Sequence, residues 1–154
     1  MRIRSILLAT MLFFGVSASA HAVQQTKSDE FCLALTAFTE ARAEGEHGMA
    51  LVVHTVLNRA KTRKTSVCNI AYAPSQFHGV LNWPKGRNPS AKNPDAWAVA
   101  VRVVNRVYAG AYDFGSCTGA EYFYAPKVVR RPPGWSTRLP YLCQYRGHRF
   151  YGVA

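Results

Sequence analysis

The sequence predicts an α+β domain, mostly helical, with a short strand and loop region in its C-terminal third. Three observations carry this. No charged side chain occurs from Phe31 to Thr39, the pattern of a helix enclosed by a core rather than laid on its surface. Two further segments, 48–60 and 94–108, repeat apolar residues at helical spacing. From Asp113 onward the pattern changes to short aromatic runs separated by Gly and Pro, which read as strands and loops.

Residues 1–22 read as a signal peptide rather than as structure. Arg2 and Arg4 give a positive start, Ile6 to Val16 a short apolar run, and Ala20-His21-Ala22 a small-residue cleavage signature. Val23 is therefore the expected mature N-terminus, and residues 23–154 the one functional domain. The apolar run falls short of the roughly 20 residues that a membrane span requires, so no stable span is expected after cleavage. An uncleaved anchor is the alternative.

Removing 22 of 154 residues leaves 132, enough for one core without metal or partner. Cys32, Cys68, Cys117 and Cys143 all remain. In an exported chain four cysteines predict two disulfides, in one of three pairings. Zinc is the rival reading, but no C-x-x-C hook is present, so neither a metal nor another cofactor is expected. Of 19 Lys and Arg, Arg2 and Arg4 leave with the leader, so 17 face 8 Asp and Glu. Such a balance predicts a polyanionic partner. Export makes that an anionic cell-envelope surface and not nucleic acid.

The first helix has Ser28 as its expected N-cap, Asp29 and Glu30 in its first turn and Gly45 as its stop. Within it Glu40 shares a side with Leu33, Thr36 and Ala37. Two readings stay open: Glu40 is part of a solvated, fraying end with Arg42, Glu44 and Glu46, or it is an acid at the rim of an apolar pocket. Desolvation in such a pocket keeps a carboxyl protonated near neutrality, the state that general acid catalysis needs.

The second helix, Gly48 to Ala60, buries Met49, Val52, Val53, Val56, Leu57 and Ala60, with His54 off that stripe and the polar end Asn58-Arg59 beside Lys61 to Lys64. Residues 65–94 are rich in Gly, Pro, Asn and Ser and read as a long ordered loop region. In it Gln76, Phe77 and Trp83 supply an amide and aromatic faces suited to sugars, or pins that hold the loop to the core. Asn93-Pro94-Asp95 opens a third helix, with Trp97, Val101, Val104 and Tyr108 as its buried stripe and Gly110 past its end. In the strand region Tyr122 and Tyr124 share one face and Phe123 takes the other.

Six spaced elements together resemble the SleB/CwlJ-like cell-wall hydrolases. They are Glu40-Ala41-Arg42-Ala43-Glu44, Leu57-Asn58-Arg59, Cys68, Gln76-Phe77, Gly119-Ala120-Glu121-Tyr122-Phe123 and Gly147-His148-Arg149-Phe150-Tyr151. The resemblance spans about Leu33 to Tyr151. Two positions depart from it: Ala43 stands where Gly is usual, and Tyr124 where a His often follows the Phe.

The resemblance implies a lysozyme-like single domain that cleaves the β-1,4 bond between N-acetylmuramic acid and N-acetylglucosamine in peptidoglycan. Glu40 matches the catalytic acid. Gln76, Phe77, Tyr122, Tyr124 and His148 are the implied substrate contacts, with Glu44 and Asn58 in supporting places. Two-carboxylate glycosidases hold their acids about 5 to 9.5 Å apart. The available seconds are Glu44, Asp95, Asp113 and Glu121, of which Glu44, four residues on, would crowd Glu40 and normally faces solvent. A lytic transglycosylase, which needs one Glu, fits better. A water-using muramidase is the rival reaction, and a non-catalytic wall-binding module or a cationic membrane-active protein the rival class. The expected setting is the periplasm or cell wall, the expected form a monomer.

Overall fold

The structure, a computed structural model, describes the backbone of residues 19–153 and the side chains of residues 29–153. Most of the expected signal peptide, residues 1–18, lies outside the described residues. Helix α1 runs Ser19–Ala41, so Ser28 is not its cap. No Gly or Pro interrupts residues 19–28, and the helix extends back through them. Its central turns are enclosed as expected: every residue from Cys32 to Phe38 is buried. The buried hydroxyl of Thr36 donates to the Cys32 carbonyl at 2.8 Å, which lets a polar side chain sit in the core at little cost.

A 3-10 turn, Arg42–Glu44, follows α1. Gly45 then adopts φ 75°, a conformation that glycine takes cheaply, and starts α2, Gly45–Thr62. Residues 65–94 are less irregular than their composition predicts. They contain α3, Val67–Ala71, α4, His78–Leu81, and a 3-10 turn at Pro89–Ala91. Local caps explain this: the Ser66 hydroxyl accepts from the Asn69 amide at 3.1 Å, and Asn88 Oδ1 from the Ser90 amide at 3.0 Å.

Helix α5, Pro94–Tyr108, starts where predicted, with Asn93 Oδ1 accepting from the Ala96 amide at 3.0 Å. Its buried stripe differs from the prediction. Ala100, Val103 and Val104 are buried, whereas Val101 is 39% and Tyr108 52% exposed. The small side chain of Ala100 lets the helix approach its neighbours closely, and Trp97 lies against Phe31 and Phe38 of α1 at 5.7 and 5.9 Å. Position around the helix rather than residue type sets the contact face, since Val103 and Val104 are buried and Val101 is not.

Three antiparallel strands complete the domain: β1, Ala120–Tyr124, β2, Tyr141–Tyr145, and β3, His148–Gly152, in the order β1-β3-β2. Phe123 pairs with Phe150, and Gln144 with Arg149. Tyr122 and Tyr124 both pack on Trp135, while Phe123 packs on Phe77, His148 and Phe150, as the alternation of a strand requires. The main core surrounds α1. A smaller cluster of Leu51, Cys117, Ala120 and Phe150 fastens α2 to the sheet.

Two disulfides resolve the open pairing. Cys32–Cys68 joins α1 to α3, and Cys117–Cys143 joins the 3-10 turn Gly115–Cys117 to β2. With sequence separations of 36 and 26, each stabilises the domain by about 3 to 4 kcal/mol in the chain-entropy account. Among the described residues no helix is long and apolar enough to cross a membrane.

Candidate active site

A cleft of about 490 Å³ opens between the helices and the sheet. Glu40 from α1, Gln76 and Phe77 from the approach to α4, Tyr122 and Tyr124 from β1 and His148 from β3 all line it. Residues 36 to 108 positions apart in sequence from Glu40 thus converge on it.

Glu40 is half-buried in the last turn of α1. Its Oε1 accepts from the Gly79 amide at 2.8 Å. That contact needs glycine: a Cβ at position 79 would stand 2.5 Å from Thr39 Cβ and 2.7 Å from Glu40 Oε1. Burial raises the Glu40 carboxyl above the ordinary carboxylate value, against the Gly79 amide and the nearby His78, which both favour the anion. The desolvated-acid reading of Glu40 describes this environment, and the solvated-end reading does not.

Arg59, at the polar end of α2, is 3% exposed. Its Nε donates to the Glu121 carbonyl at 2.8 Å, its Nη2 donates to the same oxygen and its Nη1 donates to Gln76 Oε1. The guanidinium lies over the Tyr122 ring at 4.5 Å and the Phe77 ring at 5.5 Å. Burial lowers its pKa to about 10, which leaves it cationic at neutrality. Arg59 therefore braces Gln76, Phe77 and β1 together. Phe77 itself is buried, so it forms the floor of the cleft and offers a ligand little surface.

Glu44 does not face solvent beside Glu40. The 3-10 turn carries it toward the β2–β3 connection, where Oε2 accepts from the Gly147 amide at 3.0 Å and Oε1 lies 3.7 Å from His148 Nδ1. A Cβ at Gly147 would come within 2.8 Å of Glu44 Oε1. His148 is 9% exposed, and burial holds its pKa below the ordinary histidine value, offset in part by Glu44. It faces the cleft as a neutral imidazole at pH 7.

The other acids lie elsewhere. Glu121 Oε1 accepts from the Thr62 hydroxyl at 2.8 Å, Asp113 Oδ1 accepts from the Gly115 amide at 2.9 Å, and Asp95 sits in the first turn of α5. Among the described residues, Glu40 is the one carboxyl group lining the cleft. Asn58 is also outside it, with Nδ2 donating to the Thr118 and Ala120 carbonyls at 2.9 Å each, a support for the start of β1. Trp83 is a pin: its ring meets Phe38 edge-on at 5.7 Å, and its Nε1 donates to the Arg87 carbonyl.

Sequence reasoning missed Gly79, Arg59 and Trp135. The 3-10 turn Gly134–Thr137 sets Trp135 against Tyr122, Tyr124 and Tyr151 at 5.3 to 5.8 Å and into the cleft wall. Gly and Pro around a lone Trp were the signal for it. For Arg59, the signal was a cation adjoining the apolar stripe of α2.

A family profile described as Cell Wall Hydrolase matches residues 43–151. The matched segment holds Gln76 through His148 and begins three residues after Glu40. Among solved structures, the catalytic domain of the Bacillus cereus SleB protein is similar with a TM-score of 0.60 and 21% identity, over 81% of this chain and 90% of that one. The catalytic domain of a germination-specific lytic transglycosylase, SleB from Bacillus anthracis, is similar with a TM-score of 0.52 and 19% identity, over 81% of this chain and 94% of that one. No curated protein matches.

Proposed function

Because this chain belongs to the cell wall hydrolase family, we propose that it cuts peptidoglycan glycan strands at the N-acetylmuramyl β-1,4 bond, as a lytic transglycosylase with Glu40 as its one acid and base. The observation that carries the reading is a single desolvated carboxyl group in an aromatic cleft. The solved structure described as a germination-specific lytic transglycosylase shares the fold.

The Gly79 contact supports one placement of the proton in this reading. The Gly79 amide occupies Oε1, so Oε2 carries the transferable hydrogen. Glu40 gives it to the glycosidic oxygen as the C1–O bond breaks. The carboxylate left behind is held by the Gly79 amide and by His78, both of which favour the anion. It then takes the proton of the muramyl C6 hydroxyl, whose oxygen bonds to C1 and closes the 1,6-anhydro ring. Glu40 ends protonated, ready for the next bond. No water is consumed, so no second carboxylate is needed to activate one.

Gln76 has a defined polarity in this scheme. Arg59 has only donors, so the Gln76 atom that meets it is the carbonyl oxygen, and the amide N–H groups are left to donate to substrate acceptors such as an N-acetyl carbonyl. Tyr122 and Trp135 supply aromatic faces for the sugar rings, and neutral His148 a further hydrogen-bonding group. In this reading residues 1–22 are removed on export, and residues 23–154 act as a monomer in the periplasm or cell wall.

Mass spectrometry of fragments released from purified sacculi tests the reaction. Muramyl ends lighter by one water, the 1,6-anhydro form, are expected. Reducing muramyl ends would make the protein a muramidase, and release of peptides alone would remove glycan cleavage altogether.

A further inference from the structure

The connection between β1 and β2 carries a surface that the cutting of a sugar chain does not require. Val128 is 82% exposed and Val129 36%, yet both line the same cleft as Glu40, beside Pro133 and Trp135. The segment is braced: Pro126, Pro132 and Pro133 fix backbone torsions, and the Val128 and Val129 amides both donate to the Ala125 carbonyl, at 3.0 and 3.3 Å. Two apolar side chains are thus held out to solvent on a preformed turn.

Cations flank them. Lys127, Arg130 and Arg131 are exposed, and among the described residues none of the three lies within 4 Å of a carboxylate. From Tyr122 to Ala154 the sequence has Lys127, Arg130, Arg131, Arg138, Arg146 and Arg149 and no Asp or Glu. By contrast, Arg102 and Arg106 on α5 share Glu46. The segment that contributes Val128 and Val129 to the cleft is therefore positively charged, next to a substrate whose sugar rings carry no charge. In peptidoglycan the carboxylates belong to the peptide stem on the muramyl lactyl group, as do the alanyl methyl groups.

We propose that the Lys127–Arg131 turn is a docking surface for the peptide stem of the strand being cut. Val128 and Val129 take its methyl groups, and Lys127, Arg130 and Arg131 take its carboxylates. The inference rests on the glycan-cleavage reading and extends it to a substrate class: stem-bearing strands over naked ones. An anionic polymer such as a phosphate-rich wall component would satisfy the cations but leaves the two valines without a role. The stem accounts for both.

The test compares initial rates on sacculi with stems intact and on the same sacculi stripped of stems by an amidase, using the mature protein, R130Q/R131Q and V128S. The wild-type protein should favour stem-bearing strands through KM. Because exposed charge pairs are individually weak, R130Q/R131Q should narrow that preference by roughly two- to tenfold. V128S should narrow it without altering its salt dependence, which separates the apolar contact from general charge attraction. Equal wild-type rates on the two substrates, or a preference that neither variant alters, overturn the docking while leaving glycan cleavage standing. A wild-type protein that cuts neither substrate overturns the cleavage reading itself and the docking with it.

Discussion

The amide of Gly79 and Oε1 of Glu40 meet at 2.8 Å, in a space that admits no side chain at position 79. The candidate acid and the start of α4 thus hold each other in place, and the same contact decides which carboxyl oxygen is free.

Gly79→Ala brings a methyl group to 2.5 Å from Thr39 Cβ. Overpacking of this kind costs about 1 to 3 kcal/mol. A lower melting temperature is expected together with a loss of glycan cleavage beyond what the unfolded fraction explains. Unchanged activity in the folded variant would show that the Gly79 contact is incidental.

Glu40→Gln removes the transferable proton, and turnover should fall by at least ~10². Its effect on stability depends on pH. Because the folded carboxyl has a raised pKa, the native state retains its proton more strongly than the unfolded chain. Stability is therefore lost as pH rises from the unfolded value through the folded one. The amide carries no such penalty, so the variant's melting temperature should gain on the wild type as pH rises from 4 to 7. A constant difference across that range would contradict a desolvated acid at position 40.

Glu44→Gln keeps an oxygen to accept from Gly147, and most activity should remain. Glu44→Ala leaves the Gly147 amide without its partner and should cost about 1 to 3 kcal/mol. If Glu44→Gln lowered turnover as far as Glu40→Gln does, a second catalytic carboxylate would replace the single-acid scheme.

Gln76→Glu preserves an acceptor for Arg59 but donates nothing to the substrate. The loss of one neutral hydrogen bond predicts a fall in kcat/KM of about two- to tenfold, with melting temperature held or raised. Gln76→Leu should lose activity and stability together, since it leaves Nη1 of the buried Arg59 without its Gln76 partner. Full activity in Gln76→Glu would overturn the donor role.

Much of the fold was legible because its signals are local. The uncharged stretch from Phe31 to Thr39 marks an enclosed helix, and Cys32 to Phe38 within it are buried, while Asn93 before Pro94 sets a helix start by local capping. The face of α5 was misread because apolar residues at helical spacing offer two overlapping stripes, and the one through Ala100, Val103 and Val104 faces the core while Val101 and Tyr108 do not. At the site, six implied residues meet in one cleft. Asn58 does not, because neighbouring positions on a helix point about 100° apart, so Arg59 reaches the cleft while Asn58 meets the start of β1. Glu44 was expected to face solvent near Glu40 because helical periodicity was extended through residue 44, but the helix ends at Ala41. Gly79 escaped notice because its importance is the absence of a side chain facing another element, which no local pattern records.

The 3-10 turn at Arg42–Glu44 sets one acid toward the helical wall of the cleft and the other toward the hairpin of the opposite wall. The spacing of the two walls is therefore set in part by five consecutive residues, Glu40 to Glu44, besides the Arg59 brace and the packing of α2 on the sheet. Inserting or deleting one residue between Ala41 and Gly45 would reset that spacing even in a domain whose core is untouched.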